Sequence, residues 1–203
     1  MITIVDYGAS NLSSVAKAIS HLGYSATVTS SPKEVAAAKV IVLPGVGAAG
    51  DTMSRLGSLG LIAPLVKAVR EGKPFLGVCL GLQILFTSSE ESGGLDCLNV
   101  LPGQVRRLPS SVKVPHIGWN QVRQKAPHDV FKGIPDEAHF YFVHSYYADP
   151  DDRSLVVGET EYGVRFASAV ARGNLVATQF HPEKSGDWGL MFYRNFFRFA
   201  GVR

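Results

Sequence analysis

The chain contains few cysteines and carries little net charge. Cys79 and Cys97 are the only two cysteines among 203 residues, which excludes a disulfide framework and fits a reducing compartment. Twenty lysines and arginines against 17 acidic residues leave a formal charge of +3. Because the basic residues are scattered along the chain, the sequence offers no support for a nucleic-acid partner.

Long apolar runs and several common binding motifs are also missing. No window approaches the roughly 18 apolar residues that a membrane span requires. The chain opens on an apolar strand, Ile2–Val5, rather than on a basic, cleavable leader, so we expect a cytoplasmic protein without a membrane partner. There is no Gly-x-Gly-x-x-Gly pattern, no phosphate-binding loop and no His/Cys cluster. We therefore expect neither a nucleotide cofactor nor a metal ion.

Apolar segments alternate with amphipathic ones in the first half of the chain, which predicts an α/β fold with a parallel sheet. Hydrophobic residues make up 46% of the sequence and no linker-like run divides it, so we expect one domain over residues 1–203. The predicted parallel strands are Ile2–Val5, Ala26–Thr29, Val40–Leu43, Phe75–Val78 and Leu175–Phe180. One predicted helix begins near Asn11, and three further helices are predicted over Lys33–Ala38, Leu61–Glu71 and Asp187–Phe199. Short runs between residues 104 and 171 predict an antiparallel extension.

The segment Gly77–Gln83 has the pattern of a nucleophile elbow. It predicts a buried strand that stops at Cys79 and turns at once into a helix, with glycines two residues before and two after the cysteine. Such glycines permit the sharp, strained turn that exposes a nucleophile above the edge of a sheet. A thiol at a helix N-terminus is favoured as the thiolate. The same short pattern also fits a cysteine packed inside a strand.

A possible partner for this cysteine follows the last predicted parallel strand. Pro182 cannot donate to a sheet ladder, so the strand is expected to stop at His181 and to leave the imidazole beyond the sheet edge. Glu183 can turn back and accept a hydrogen bond from one ring nitrogen, which would direct the other nitrogen toward the sulfur. His-Pro-Glu alone also fits a simple turn. Two strand ends that each carry part of a Cys/His/Glu triad favour the catalytic interpretation.

With these motifs the chain resembles the class I, triad-type glutamine amidotransferases over nearly its whole length. More narrowly, it is similar to the glutaminase subunits of imidazole glycerol phosphate synthase, an enzyme of histidine biosynthesis. Besides the elbow and His-Pro-Glu, the matching stretches are Asp6–Gly8 with Asn11 and Leu12, Leu43–Gly47, Pro115–Asn120 and Phe140–Tyr147. The resemblance implies a flavodoxin-like, largely parallel central sheet that is flanked by helices and carries an antiparallel extension.

The resemblance also implies a reaction. Cys79 would attack the side-chain amide of glutamine, His181 would protonate the departing ammonia, and water would hydrolyse the glutamyl thioester. The backbone N–H of Leu80 and the loop containing Val46 and Gly47 would form the oxyanion hole. Taken alone, that Pro-Gly loop also fits an ordinary turn.

Position-for-position similarity implies further contacts. Gln83, Ser145 and Tyr146 would hold the α-amino and α-carboxylate ends of glutamine. Tyr141 and Phe142 are best interpreted as packing residues.

The family implies that the chain acts with a (β/α)8 cyclase subunit in a heterodimer. The cyclase would receive the ammonia and form imidazole glycerol phosphate and an aminoimidazole carboxamide ribonucleotide. The candidate docking face is the loop Pro115–Asn120, with Pro115, His116, Trp119 and Asn120, together with residues 144–147. Trp119 is interpreted either as an anchor for the partner or as a core residue. Partner binding would reorient the Val46–Gly47 peptide and complete the oxyanion hole.

The sequence departs from the family pattern at Ser10, where many relatives carry glycine; the resemblance places no catalytic residue in that first loop. Three alternatives stay open at this stage. The glutaminase subunit of pyridoxal phosphate synthase is one, although it typically has a Gly-Gly-Glu-type loop where this chain has Pro44–Gly47. An α/β-hydrolase-like thiol hydrolase usually places its acid before the histidine, whereas Glu183 follows His181. A noncatalytic subunit with a decayed site is disfavoured by an intact Cys79, His181 and Glu183.

Overall fold

The computed structural model describes residues 1–8 and 11–202 of the chain. Ser10, where the sequence departs from the family pattern, lies outside the described residues. The strands, in chain order, are β1 (Ile2–Val5), β2 (Ala26–Thr29), β3 (Val40–Gly45), β4 (Phe75–Cys79), β5 (Ser88–Ser89), β6 (Leu95–Asp96), β7 (Gly103–Arg107), β8 (His116–Gln124), β9 (Ala138–His144), β10 (Tyr146–Pro150), β11 (Val156–Glu161), β12 (Arg165–Arg172) and β13 (Leu175–Thr178). The α-helices are α1 (Leu12–His21), α2 (Pro32–Ala37), α3 (Ala49–Ser58), α4 (Ile62–Arg70), α5 (Leu80–Gln83) and α6 (Gly186–Phe199).

The centre of the fold is a parallel sheet in the order β2-β1-β3-β4-β13. The strands β1, β3, β4 and β13 are buried along their whole length, which explains their predominantly apolar sequences. Alternate side chains of β3 contribute to two separate cores, with Ile41 on one face and Val42 on the other. Helices α2, α3 and α4 cover the first face, and α1 and α6 cover the second. This confirms the predicted parallel sheet flanked by helices.

The antiparallel extension begins where β12 pairs with β13. From β12 the sheet continues through β10 to β7, and a second branch runs through β11 and β8 to β9. This confirms the predicted extension. Because β9 ends at His144 and β4 ends at Cys79, the extension brings residues 143–146 to the same edge as the elbow, and the Cys79 Sγ lies 3.7 Å from the Val143 carbonyl oxygen.

Several local predictions need correction. Strand β13 ends at Thr178, not at Phe180 or His181, so His181 follows a short connecting segment rather than the strand itself. The predicted run 139–147 consists of two strands separated at Ser145. Pro115–Asn120 is mostly strand β8 rather than a loop. Helix α3 was not predicted, because its sequence AGDTMSRLGS has two glycines and few apolar positions. Among the described helices, none has the length and apolar character to cross a membrane.

Candidate active site

The candidate nucleophile lies in a strained turn between β4 and α5. Cys79 has φ 53° and ψ −106°, a positive φ that non-glycine residues rarely adopt and that tends to occur at functional sites. The residue is 6% exposed. Because α5 has only four residues, its aligned peptide dipoles sum to little, so specific hydrogen bonds matter more for this thiol than the predicted helix-end effect.

The elbow needs glycine because the backbone of α5 packs directly against the sheet. A Cβ atom on Gly81 would collide with the Leu43 carbonyl oxygen in β3, and one on Gly77 would lie 2.6 Å from the Gly81 carbonyl oxygen. A Cβ on Gly45 would lie 2.6 Å from the Gly81 nitrogen. The glycine spacing read from the sequence therefore has a steric cause, which is the close approach of β3, β4 and α5.

His181 and Glu183 form a buried pair beside the elbow. The His181 Nδ1 atom lies 2.7 Å from Glu183 Oε1, and the two side chains are 1% and 0% exposed. The position of His181 is fixed by its backbone, since its N–H donates to the Tyr141 carbonyl at 2.9 Å and its carbonyl accepts from the Ser185 hydroxyl at 2.6 Å. With Nδ1 engaged by the carboxylate, Nε2 is the ring atom left for chemistry.

The electrostatics of His181 favour its protonated form. Burial lowers the pKa of His181, but the negative charge of the Cys79 thiolate and then the Glu183 carboxylate raise it, and the net pKa lies well above the usual value. The Nε2 atom is buried and, among the described residues, has no well-oriented hydrogen-bond partner. A buried ring nitrogen next to the Cys79 sulfur is suited to move a proton to or from a bound molecule.

Two side chains that sequence reasoning missed also hold Glu183. Asn11 Nδ2 donates to Glu183 Oε1 at 2.6 Å, and the Tyr193 hydroxyl donates to Oε2 at 3.3 Å. Asn11 belongs to the first loop, where the resemblance placed no catalytic residue. Its contact spans 172 positions of sequence, so no local pattern could have revealed it.

A cavity of about 360 Å³ opens over Cys79 and His181. It brings together six further residues predicted for the oxyanion hole and the substrate: Val46, Gly47, Leu80, Gln83, Ser145 and Tyr146. It also contains residues that were predicted for docking or were not predicted: Glu91, Pro115, Val143, His144 and Lys184. Of these, the Glu91 carboxylate also accepts from the Ala49 N–H at the start of α3, at 2.6 Å. The cavity is large enough for an amino acid.

The amide of Gln83 is fixed in orientation. Its Nε2 donates to the Tyr146 carbonyl oxygen at 2.7 Å and to Gln179 Oε1 at 3.0 Å. Both hydrogens of the amide nitrogen are thus engaged inside the protein. Only Gln83 Oε1 is left for the cavity, so this side chain can accept a hydrogen bond from a ligand but cannot donate one.

The Pro44–Gly47 loop is held by a buried tyrosine. The Tyr7 hydroxyl donates to the Pro44 carbonyl oxygen at 3.0 Å. Burial raises the pKa of Tyr7 to about 12, although a hydrogen bond with Thr52 lowers it in part. Gly47 has φ 99° and no described atom within 4 Å of the position of a Cβ, which leaves its peptide room to turn.

The outer end of β8 presents an apolar surface next to the cavity. Ile117 and Trp119 are 60% and 55% exposed, so the interpretation of Trp119 as a core residue is wrong. Trp119 contacts the Tyr141 ring edge-to-face at 6.1 Å between centroids, and the Lys184 ammonium lies 5.8 Å from the Tyr141 centroid. Tyr141 is therefore part of this surface, whereas Phe142 is fully buried as predicted.

His116 lies beneath this surface rather than in it. It is 4% exposed and stacks on Tyr162 at 3.9 Å between ring centroids, so its side chain cannot serve the predicted docking contact directly. Its Nδ1 lies 3.0 Å from His144 Nε2, and His144 Nδ1 lies 2.9 Å from the Tyr146 carbonyl. Its Nε2 lies 3.4 Å from Asn120 Nδ2. A chain of polar contacts thus joins Asn120 to the cavity wall.

No group of three or more His, Cys, Asp or Glu side chains within residues 1–8 and 11–202 could hold a metal ion. Cys97 is set apart from the cavity. Burial, with the nearby carboxylates of Asp96 and Glu91, raises the pKa of the Cys97 thiol to about 11. The one thiol in the cavity wall is that of Cys79, and the imidazole with its orienting carboxylate beside it is the His181–Glu183 pair.

Known proteins resemble this chain in both fold and sequence. Its structure is similar to a solved glutamine amidotransferase with a TM-score of 0.78, at 20% identity and complete coverage of both chains. It is also similar to the PurLQS structure from Thermotoga maritima with a TM-score of 0.75, at 19% identity over 98% of this chain and 97% of that one. At such identities the likeness shows the fold alone.

Sequence relatives are much closer. The chain is 53% identical over 200 residues to the imidazole glycerol phosphate synthase subunit HisH of Dehalococcoides mccartyi strain CBDB1, with 98% of each chain covered. It is 52% identical to the subunit HisH of Moorella thermoacetica over 96% of this chain and 93% of that one. The family model "Glutamine amidotransferase class-I" matches residues 3–199. The chain belongs to the class-I glutamine amidotransferases and, within them, to the family of the glutaminase subunit of imidazole glycerol phosphate synthase.

Proposed function

We propose that residues 1–203 form one glutamine amidotransferase domain that hydrolyses glutamine to glutamate and ammonia through a thioester on Cys79. The observation that carries this proposal is the cavity whose wall contains Cys79 and His181, with Glu183 buried behind the imidazole. A strained cysteine, a histidine with one free ring nitrogen and an orienting carboxylate have the roles of a nucleophilic triad.

Each residue has a defined task. The Cys79 sulfur attacks the side-chain amide carbon of glutamine, and His181 Nε2 delivers a proton to the leaving nitrogen, so that ammonia departs. His181 then takes a proton from the water that hydrolyses the thioester. Glu183 keeps the imidazole oriented and balances its positive charge. The raised pKa of His181 supplies the imidazolium that the first step needs.

The negative charge on the reacting carbonyl oxygen needs preorganised donors. The Leu80 N–H follows the nucleophile directly and is one such donor. A second would come from the Val46–Gly47 segment, which lines the same cavity. We expect the Val46–Gly47 peptide to turn on partner binding, so that one of its N–H groups faces the oxyanion. The loop thus has a resting arrangement and a competent one.

The fixed amide of Gln83 suggests which residues bind the α-ammonium group of glutamine and which bind its α-carboxylate group. Its free Oε1 can accept a hydrogen bond, which suits the α-ammonium group of glutamine, and the Glu91 carboxylate in the same cavity would pair with that charge. This leaves Ser145 and Tyr146 for the α-carboxylate.

The partner follows from the relatives, which are subunits of imidazole glycerol phosphate synthase. We infer a cytoplasmic heterodimer with a (β/α)8 cyclase that receives the ammonia through a protected path. The cyclase would use it to form imidazole glycerol phosphate and an aminoimidazole carboxamide ribonucleotide. The docking surface would be the exposed Pro115, Ile117 and Trp119 with Tyr141 and Lys184, since exposed aromatic side chains next to a cation are typical of interface hot spots.

Two contacts could carry the effect of docking to the cavity. The first is the chain from Asn120 through His116 and His144 to the Tyr146 carbonyl, which also holds Gln83. The second is the Tyr7 hydroxyl, which holds the Pro44–Gly47 loop. Both hold groups that would touch substrate, so partner binding would change the glutaminase rate if it shifted either of them.

The proposal is tested by glutamate release from glutamine. The chain would be assayed alone, with the cyclase subunit, and with the cyclase and its ribonucleotide ligand, with Cys79→Ala as control. We expect a rise on mixing that Cys79→Ala abolishes. Equal rates for the chain alone and the liganded complex would contradict the coupling, and turnover by Cys79→Ala would contradict the nucleophile.

A further inference from the structure

Gln179 occupies a position between the nucleophile and the substrate pocket that the mechanism above does not use. It follows β13, is 0% exposed, and its backbone N–H donates to the Ser168 carbonyl at 2.9 Å. Its side-chain Nε2 lies 3.5 Å from the Cys79 sulfur, and its Oε1 accepts from Gln83 Nε2 at 3.0 Å. One buried amide therefore touches both the reacting atom and the residue proposed to hold the substrate.

The orientation of this amide follows from its neighbours. Gln83 Nε2 must donate, because its other partner is the Tyr146 carbonyl oxygen, which only accepts. The group of Gln179 that faces Gln83 must therefore be its oxygen. The nitrogen then faces the sulfur, so an N–H of Gln179 is directed at Cys79.

The two protonation states of Cys79 have different partners. A thiol can donate to the Val143 carbonyl oxygen, 3.7 Å from the sulfur. A thiolate has no proton to donate and is repelled by that carbonyl. It can accept from the Gln179 amide at 3.5 Å, and the His181 imidazolium also faces it. The Val143 carbonyl favours the thiol and the Gln179 amide favours the thiolate.

We propose that Gln179 is a catalytic residue of this site: its amide N–H stabilises the Cys79 thiolate, while its carbonyl oxygen holds Gln83 in the orientation that accepts the substrate. The inference deepens the proposed glutaminase function and rests on it for its kinetic consequences. It makes the nucleophile and the substrate-binding amide parts of one hydrogen-bonded unit, Tyr146–Gln83–Gln179–Cys79. Hydrogen bonds to a charged sulfur in a buried site are stronger than those between neutral groups.

The test measures the thiolate directly, without glutamine. In a Cys97→Ser background Cys79 is the only thiol of the chain, so the rate of iodoacetamide alkylation as a function of pH reports Cys79 alone. Two variants separate the two ends of the amide. Gln179→Met removes both hydrogen bonds at similar volume, and Gln179→Glu keeps an acceptor for Gln83 but replaces the donor to sulfur with an oxygen. Gln104→Met and Gln104→Glu, on an exposed side chain of β7, are the matched controls.

At pH values below the parent's midpoint we expect alkylation to slow about ten- to hundredfold in both Gln179 variants, which corresponds to the loss of one hydrogen bond to a charged group. The midpoint of the pH profile should rise by about one to two pH units, and both controls should match the parent. In the cyclase complex, Gln179→Glu should lower kcat while KM for glutamine changes little. Gln179→Met should lower kcat and also raise KM, because Gln83 loses its support.

A folded Gln179→Met with the parent's alkylation profile would overturn the proposal and reduce Gln179 to a packing residue. If neither variant folds, the unmodified chain still decides: the side-chain amide protons of Gln179 should shift, by NMR, with the same pH midpoint as Cys79 alkylation. An amide signal that does not respond at that midpoint would overturn the proposal. Because alkylation needs no glutamine, a changed profile without glutaminase activity would refute the proposed function and leave the thiolate contact standing.

Discussion

Glu183→Gln is the change whose consequences the structure defines most closely. The carboxylate receives three donors, with His181 Nδ1 at 2.7 Å and Asn11 Nδ2 at 2.6 Å on Oε1, and the Tyr193 hydroxyl at 3.3 Å on Oε2. Glutamine has nearly the same shape but replaces one oxygen with a donor. If the nitrogen takes the place of Oε2, the Tyr193 hydroxyl loses its acceptor. If the nitrogen takes the place of Oε1, its N–H groups face the donors His181 Nδ1 and Asn11 Nδ2, which then have no acceptor.

The magnitude follows from the number and kind of these contacts. Hydrogen bonds to a charged group contribute about 1.5–3 kcal/mol each, and at least one is lost in either orientation of the amide. We therefore expect the free energy of unfolding to fall by about 2–3 kcal/mol. Loss of the negative charge also removes one cause of the raised His181 pKa. In serine hydrolases the corresponding acid-to-amide change lowers kcat about 10⁴-fold, and we expect a loss of about 10³- to 10⁴-fold here.

Two assays measure these effects. Urea unfolding gives the change in stability, and glutamate release by the cyclase complex gives kcat. Glu71→Gln is the matched control, because Glu71 is an exposed partner of Lys67 at 3.6 Å and such surface pairs contribute little. A Glu183→Gln complex with kcat within about threefold of the parent would refute the role assigned to the carboxylate.

Three further predictions concern the loop, the elbow and the buried histidines. Tyr7→Phe removes the hydroxyl that donates to the Pro44 carbonyl and holds the Pro44–Gly47 loop, so glutamate release by the isolated chain should rise and its activation by the cyclase should shrink. An unchanged ratio would contradict this. Gly81→Ala forces a methyl group against the Leu43 carbonyl, and we expect urea unfolding to show a loss of about 1–3 kcal/mol of stability. The control Gly50→Ala should lose none, because no described atom lies within 4 Å of the added carbon. Burial lowers the pKa of His144 in the folded chain to about 3. Below pH 6.5 the unfolded chain therefore takes up a proton at this histidine that the folded chain does not, and the free energy of unfolding falls as the pH drops from 6.5 toward 3. Between pH 6.5 and 5.0 the loss is about 2 kcal/mol, which His144→Gln should remove from the pH dependence of urea unfolding; an identical slope in the variant would contradict it.

The sequence predicted the parallel sheet and the elbow well, because both depend on local patterns. Unbroken apolar runs marked the strands, and the glycine spacing around Cys79 reflected a steric need that the structure makes explicit at Gly77 and Gly81. Pro182 was taken as the residue that stops the last parallel strand at His181, but β13 ends earlier, at Thr178. Beyond Thr178 the Gln179 N–H still bonds to Ser168 of β12, while the Gln179 side chain contacts Gln83 and Cys79.

The supporting residues of the site could not be predicted from the sequence. Gln179 and Cys79 are 100 positions apart, and Asn11 and Glu183 are 172 apart, so no spacing rule connects them. The burial of His116 and the exposure of Trp119 follow from the alternation of β8. That alternation was hidden because residues 115–120 were taken as a loop.

Reaction of Cys79 with the side-chain carbon of bound glutamine can be trapped with a diazoketone analogue of glutamine and followed by intact-mass analysis. We expect a single adduct, mapped by peptide analysis to Cys79, that forms faster in the liganded cyclase complex and is prevented by excess glutamine. Labelling of Cys97 instead, or labelling of Cys79 that glutamine does not slow, would contradict it.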